Sequence, residues 1–96
     1  MSVRVTLNCQ VKPEQFPALL PFLQENLPNV RGFKGNMRVS VLFDEANNEM
    51  LLDEQWLTTQ SHQAYLRFIS DNGVLAALSA FLSAPPVIKY FHKVEV

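Results

Sequence analysis

The stretch LLDEQWLTTQSHQAYLRF, residues 51–68, brings together a carboxylate, an indole, an imidazole and a phenol: Glu54, Trp56, His62 and Tyr65. Glu54 lies on a strand whose same face carries Met50, Leu52 and Trp56. A carboxylate on an apolar face is costly unless it is paired. Glu54 therefore either hydrogen-bonds a neighbour from another element or acts as a base with a raised pKa. Trp56 can pack beneath the following helix and fix the strand–helix corner, or wall a pocket for a flat substrate, and the two roles are compatible. Tyr65 has a phenol of pKa near ~10, a poor general base at neutral pH. It can still hydrogen-bond a phenolic ligand or stack on it; otherwise it is a core aromatic. On a helical wheel Ala64, Tyr65, Phe68 and Ile69 share an arc of about 140°, with His62 roughly 20° beyond Ile69. His62 is thus open to either a pocket or solvent. The catalytic candidates are His62, Tyr65 and Glu54; Trp56, Tyr65 and Phe68 are candidates for holding a substrate.

The elements that must position these residues follow from periodicity. Residues 3–11 alternate, with Val3, Val5, Leu7, Cys9 and Val11 on one face and Arg4, Thr6, Asn8 and Gln10 on the other, which predicts a strand. In PEQFPALLPFLQENLP, Phe16, Leu19, Leu20, Leu23 and Leu27 have helical spacing. Pro17 and Pro21 would unpair the carbonyls of Pro13 and Pro17, so this helix is expected to bend or restart in its first half. NVRGFKGN reads as a loop, and MRVSVLF as a strand with Met37, Val39, Val41 and Phe43 on one face. DEANNE is a turn, MLLDEQWL the return strand of a hairpin. Thr58 and Thr59 are helix N-cap candidates. The helix they begin runs to about Ile69, and VLAALSAFL forms a further short helix before Pro85. VIKYFHKVEV alternates as a last strand, with Tyr90 and His92 on one face.

This β-α-β-β-α-β order is the ferredoxin-like α+β unit, an antiparallel sheet with helices on one face. Apolar side chains occur on both sheet faces of several strands, so the open face is expected to meet a second copy of the chain. Residues 1–96 are expected to form one domain.

Composition narrows the function classes. The chain has 96 residues, 48% hydrophobic and 18% charged, with a net charge of -1. With no basic excess and no basic run among aromatics, nucleic acid is not an expected partner. No run approaches the ~20 apolar residues of a membrane span. The N-terminal residues alternate and read as a strand, not a signal peptide. Cys9 is the only cysteine, which fits a reducing, cytoplasmic setting. Two distant histidines and one cysteine give no metal spacing.

Several segments, taken in order, resemble one family: QVKPEQ after the first strand, RGFKGNMRVSV entering the second, LLDEQW closing the third, SHQAYLRF on the helix and APPVIKYFHKVEV at the end. Over nearly its whole length the chain resembles the antibiotic biosynthesis monooxygenase domains of the dimeric α/β-barrel superfamily. The resemblance implies a cytoplasmic homodimer with two sheets packed face to face. Some members oxidise phenols or quinols with molecular oxygen and no metal or flavin, others degrade haem, and many have no established activity. Many members carry a His nine residues after the Trp, where this chain has Tyr65. In haem-degrading relatives a ligating His occupies the place of Leu75, which cannot ligate iron, so the resemblance implies no haem chemistry here. Relatives use an Asn on the first strand to hold oxygen or a substrate oxyanion, which makes Asn8 a further substrate-binding candidate. The expectation is a monooxygenase of electron-rich aromatics that needs no cofactor. The alternative is a non-catalytic ligand-binding or dimerisation module of the same fold.

Overall fold

The computed structural model describes residues 2–96. Its elements are β1 (Val3–Gln10), α1 (Phe16–Arg31), β2 (Asn36–Asp44), β3 (Glu49–Trp56), α2 (Thr59–Asp71), α3 (Val74–Ser79) and β4 (Val87–Phe91). The strands form one antiparallel sheet in the order β2-β3-β1-β4. This is the ferredoxin-like α+β fold.

The period-two pattern of β1 decides which face is buried. Val3, Val5, Leu7 and Cys9 point into the core with Met50, Leu52 and Trp56 of β3. The helices close over that face through Leu19, Leu23 and Val30 of α1, Tyr65 and Ile69 of α2, and Leu78 of α3. The other face is open. There Arg4 Nε lies 2.7 Å from Asp53 Oδ1, and Arg38 Nη2 lies 3.4 Å from the same oxygen.

Several sequence expectations are corrected. α1 is one uninterrupted helix that continues to Arg31, through residues expected to be loop. Pro17 sits in its first turn, where a missing N–H is harmless. Pro21 and Pro28 are interior but exposed, so the carbonyls they leave unpaired lie on the wet side. Leu20 is also turned outward, and Phe22 packs against the core instead. The β2–β3 register shifts between Asn36 and Arg38, so Met37 leaves the Val39 face and is exposed. α3 stops at Ser79 because the next residues are tied to the end of β1: Lys12 N–H donates to Phe81 O and Ser83 N–H to Gln10 O. β4 ends at Phe91, not Val96, since Phe91 already pairs with Arg4 near the start of β1 and little of that strand remains beyond it. His92 accordingly leaves the Tyr90 face and lines the open side beside Arg4 and Asp53.

The start of α2 is pinned in two ways. Thr58 Oγ1 accepts the N–H of Ser61 at 3.0 Å, the expected N-cap. Ser61 also backs onto Gly35, whose φ is +95°; a Cβ there would lie 2.5 Å from the Ser61 side chain. Gly73, with φ +86°, faces open space. Gly35→Ala should therefore cost at least ~2 kcal/mol, from strain and clash together, and Gly73→Ala only ~1 kcal/mol from strain. Urea midpoints of the two variants check the difference.

Candidate functional site

Strand parity sends Glu54 toward the helices with Leu52 and Trp56, and α2 then lies across it. Glu54 is only 3% exposed and His62 1%. Glu54 Oε1 accepts the indole N–H of Trp56 at 2.8 Å. The same oxygen lies 3.9 Å from His62 Nε2, too far for a hydrogen bond, and that nitrogen has no partner. His62 Nδ1 is 2.8 Å from the Tyr90 hydroxyl. The Trp56 ring lies 5.4 Å from both the His62 and Tyr65 rings, and Phe33 closes the edge at 5.2 Å from Tyr65.

Above Glu54 and His62 is a cavity of about 50 Å³ between the sheet and the three helices. Its lining is apolar, from residues such as Leu7, Phe22, Leu75 and Leu78, apart from Glu54, His62, Tyr65 and Asn26. A much larger depression of about 670 Å³ lies on the open sheet face beside Arg4, Asp53 and His92. That one is an open trough, and no buried titratable group faces it. The smaller, drier cavity is the better chemical site.

Burial governs the electrostatics. It pushes the Glu54 carboxyl up to about 7, against the opposing pull of the Trp56 hydrogen bond. It lowers His62 to about 4, so the imidazole is neutral near pH 7. It raises Tyr65 to about 12, which keeps the phenol protonated. The Cys9 thiol, at about 11, is inert packing. At neutral pH the cavity thus holds a carboxyl poised between its two forms, a neutral imidazole with a bare edge, and a neutral phenol.

Of the sequence candidates, the structure brings Glu54, His62 and Tyr65 to the cavity, while Trp56 bonds Glu54 but is packed in the core and does not line the cavity. It leaves two apart. Phe68 is 51% exposed and packs against Phe33 outside the cavity, because its place on the α2 arc overshoots the buried stripe of His62, Tyr65 and Ile69. Asn8 is on the open face, where its Nδ2 donates to Glu49 Oε2 at 3.1 Å, so the sheet separates it from Glu54. His62 is a core residue and not a surface one. Tyr90 and Asn26 were missed. The alternation of the last strand gave Tyr90 a face but not which face is covered, and Asn26 falls three residues after Leu23 on the α1 stripe. Among the described residues no group of three His, Cys, Asp or Glu side chains could hold a metal ion.

The two buried groups oppose each other in pH-dependent stability. Glu54 binds its proton more tightly folded than unfolded, so its contribution is full below about pH 4.5 and is lost as pH rises to about 7. His62 binds its proton less tightly folded, so its contribution grows as pH rises from about 4 to 6.5. Over their shared window the two nearly cancel. Glu54→Gln removes one of them, and its urea midpoint should rise between about pH 4.5 and 6.5 more steeply than that of the wild type. Parallel profiles would contradict the assignment.

No family model matches the sequence, and no curated protein is significantly similar to it. Solved structures are similar in fold. A conserved protein from Methanosarcina mazei superposes with a TM-score of 0.86 at 19% identity, covering 98% of this chain and 94% of that one. A Bordetella bronchiseptica protein provisionally named an antibiotic biosynthesis monooxygenase gives 0.84 at 18% identity, with 98% of each chain covered. Another structure named antibiotic biosynthesis monooxygenase gives 0.84 at 14% identity, with 97% and 99% covered. At these identities the likeness is one of architecture, and it establishes that this chain has the ferredoxin-like fold of proteins named antibiotic biosynthesis monooxygenases.

Proposed function

We propose that the chain is a monooxygenase of the antibiotic-biosynthesis type, oxidising a quinol or similar electron-rich aromatic with molecular oxygen and no cofactor. The observation that carries this reading is Glu54: a carboxyl with pKa about 7, buried at the floor of an apolar cavity. A base matched to the working pH is what proton abstraction from a phenol needs. In the proposed reaction Glu54 takes the phenolic proton, and the phenolate gives an electron to oxygen. The radical pair collapses to a new ring C–O bond. The O–O bond then breaks, the ring C–H proton is lost, and water leaves. The net change is hydroquinone plus O2 to hydroxyquinone plus water, so the substrate supplies every electron. The dry lining protects the charged intermediate. Tyr65 and Phe22 give the ring its walls, Trp56 acts only through its hydrogen bond to Glu54, and Leu75 at the wall offers no ligand to haem iron.

A second copy of the chain belongs to the proposal. The open sheet face carries Leu42, Val87 and Phe91, each half exposed, around the Arg4–Asp53–Arg38 pairs. Apolar side chains exposed together on this face support an interface there.

One observation favours a non-catalytic ligand-binding module. The cavity of about 50 Å³ is well below the ~150 Å³ that admits benzene, so a ring enters only if side chains such as Tyr65 or Phe22 move.

Oxygen uptake with a panel of hydroquinones separates the two. The monooxygenase consumes one O2 per hydroxyquinone formed, and Glu54→Gln lowers kcat/KM by about 10²-fold or more. Absence of uptake across the panel transfers the proposal to the binding module. Haem titration should give no Soret shift, and light scattering at micromolar concentration should give a dimer mass; a coordinated Soret band or a monomer would refute those parts.

A further inference from the structure

Glu54 sits in a closed interior, so a proton it takes from a substrate needs a way out. The sheet places one on a single row of residues. Glu54 on β3 pairs with Val5 on β1, and Val5 pairs with Tyr90 on β4, the edge strand. Two strand spacings, roughly 9.5 Å, separate Glu54 from Tyr90 along this row, too far for direct contact. His62 of α2 lies over fully buried Val5 and spans the interval, with Nε2 3.9 Å from Glu54 Oε1 and Nδ1 2.8 Å from the Tyr90 hydroxyl. Tyr90 is half-buried at the sheet margin and reaches solvent.

The geometry points to a proton relay, Glu54 to His62 to Tyr90 to solvent, in which Tyr90 is the outer gate of the cavity. The inference rests on the proposed role of Glu54 as base and adds the route its proton takes. The relay has two resting arrangements. With Glu54 ionised, His62 carries its proton on Nε2 and the Tyr90 O–H donates to Nδ1. With Glu54 protonated, Nε2 is bare and Nδ1–H donates to the Tyr90 oxygen. Discharge runs from the second to the first. Glu54 gives its proton to Nε2, Nδ1 gives its own to the Tyr90 oxygen, and Tyr90 releases its proton to water. One proton leaves the carboxyl and one emerges at the edge strand. Transfer requires the Glu54–His62 gap to close by roughly 1 Å.

Other groups near the path leave it intact. Trp56 holds Glu54 Oε1 by its N–H, which it does not titrate. Tyr65 on α2 and Cys9 on β1 stay protonated below about pH 11. Asp53 is on the opposite sheet face, paired with Arg4. α1 offers the cavity only the neutral amide of Asn26, and α3 only apolar residues. Burial keeps His62 neutral above about pH 4, so it passes protons by exchanging tautomers and not by accumulating as imidazolium.

Nitrogen-15 NMR of the His62 ring in the full chain, between about pH 5 and 9, reads the relay without any substrate. The expected result is a neutral ring that passes from the Nδ1–H to the Nε2–H tautomer as pH rises through Glu54's midpoint. Glu54→Gln should remove the pH dependence. Tyr90→Phe, which keeps the ring but removes the acceptor for Nδ1–H, should hold His62 as Nε2–H throughout. One tautomer at every pH in the wild type, an imidazolium forming above about pH 6, or a switch that survives in both variants overturns the relay. If a variant fails to fold, the wild-type spectra decide alone. With a hydroquinone that is turned over, Tyr90→Phe should lower kcat about tenfold at constant KM; an unchanged kcat would remove Tyr90 from the path. If the wild type turns over nothing, the proposed activity fails while the tautomer measurement still judges the relay.

Discussion

A carboxyl group has been placed where water does not reach, and much of the surrounding structure can be understood from how Glu54 is accommodated there. An isolated ionised carboxylate in such a place is very costly, and the usual response is to hold the proton instead. Glu54 has one donor, the indole of Trp56. That bond favours the ionised form, but burial outweighs it, and the balance falls near neutrality. His62 is the counterpart: it is buried over the same row from α2 and depressed in pKa, and it leaves a nitrogen facing the carboxyl without bonding it. At 3.9 Å the pair is too far apart to form a settled hydrogen bond, and a proton passes between them only when the gap closes by roughly 1 Å.

The fold supplies that tension through ordinary means. Antiparallel register sets Glu54, Val5 and Tyr90 side by side, and the Thr58 cap with the Gly35–Ser61 contact fixes where α2 begins. One residue on from Ser61 the helix faces the row with His62, and three residues after that with Tyr65. α1 roofs the cavity with Phe22 and Asn26, and it tolerates Pro21 and Pro28 because both sit on its exposed side. The opposite sheet face keeps its charges as mutual pairs around Asp53, whose carboxyl the Arg4 hydrogen bond holds below its ordinary range. Two carboxylates adjacent in sequence thus have opposite fates, because alternation sends one to water and cations and the other to a dry core.

Much of this was legible in the sequence because it depends on period. The alternation of Val3 to Val11 and of Met50 to Trp56 is unambiguous, and it alone places Glu54 on the apolar face. The cap was narrowed to Thr58 or Thr59, and Thr58 fills it. His62 was not, since a residue at the margin of a helical arc is assigned by what packs above it, and here Tyr90 comes from a strand far along the chain. Phe68 failed for the same reason in reverse. Asn8 was a candidate only through the family resemblance, while its own parity pointed to the open face, and parity prevailed. The proline-rich start of α1 misled because the cost of an interior proline depends on whether the freed carbonyl meets water, which sequence alone does not reveal.

The most direct test is carbon-13 NMR of the Glu54 side-chain carboxyl as a function of pH in the unmodified protein. The account expects a midpoint close to 7, set by burial between β3 and α2. A midpoint near the ordinary 4.5 would mean that Glu54 is solvated or firmly paired. The site would then have no base matched to neutral pH, and the account of its chemistry would be wrong.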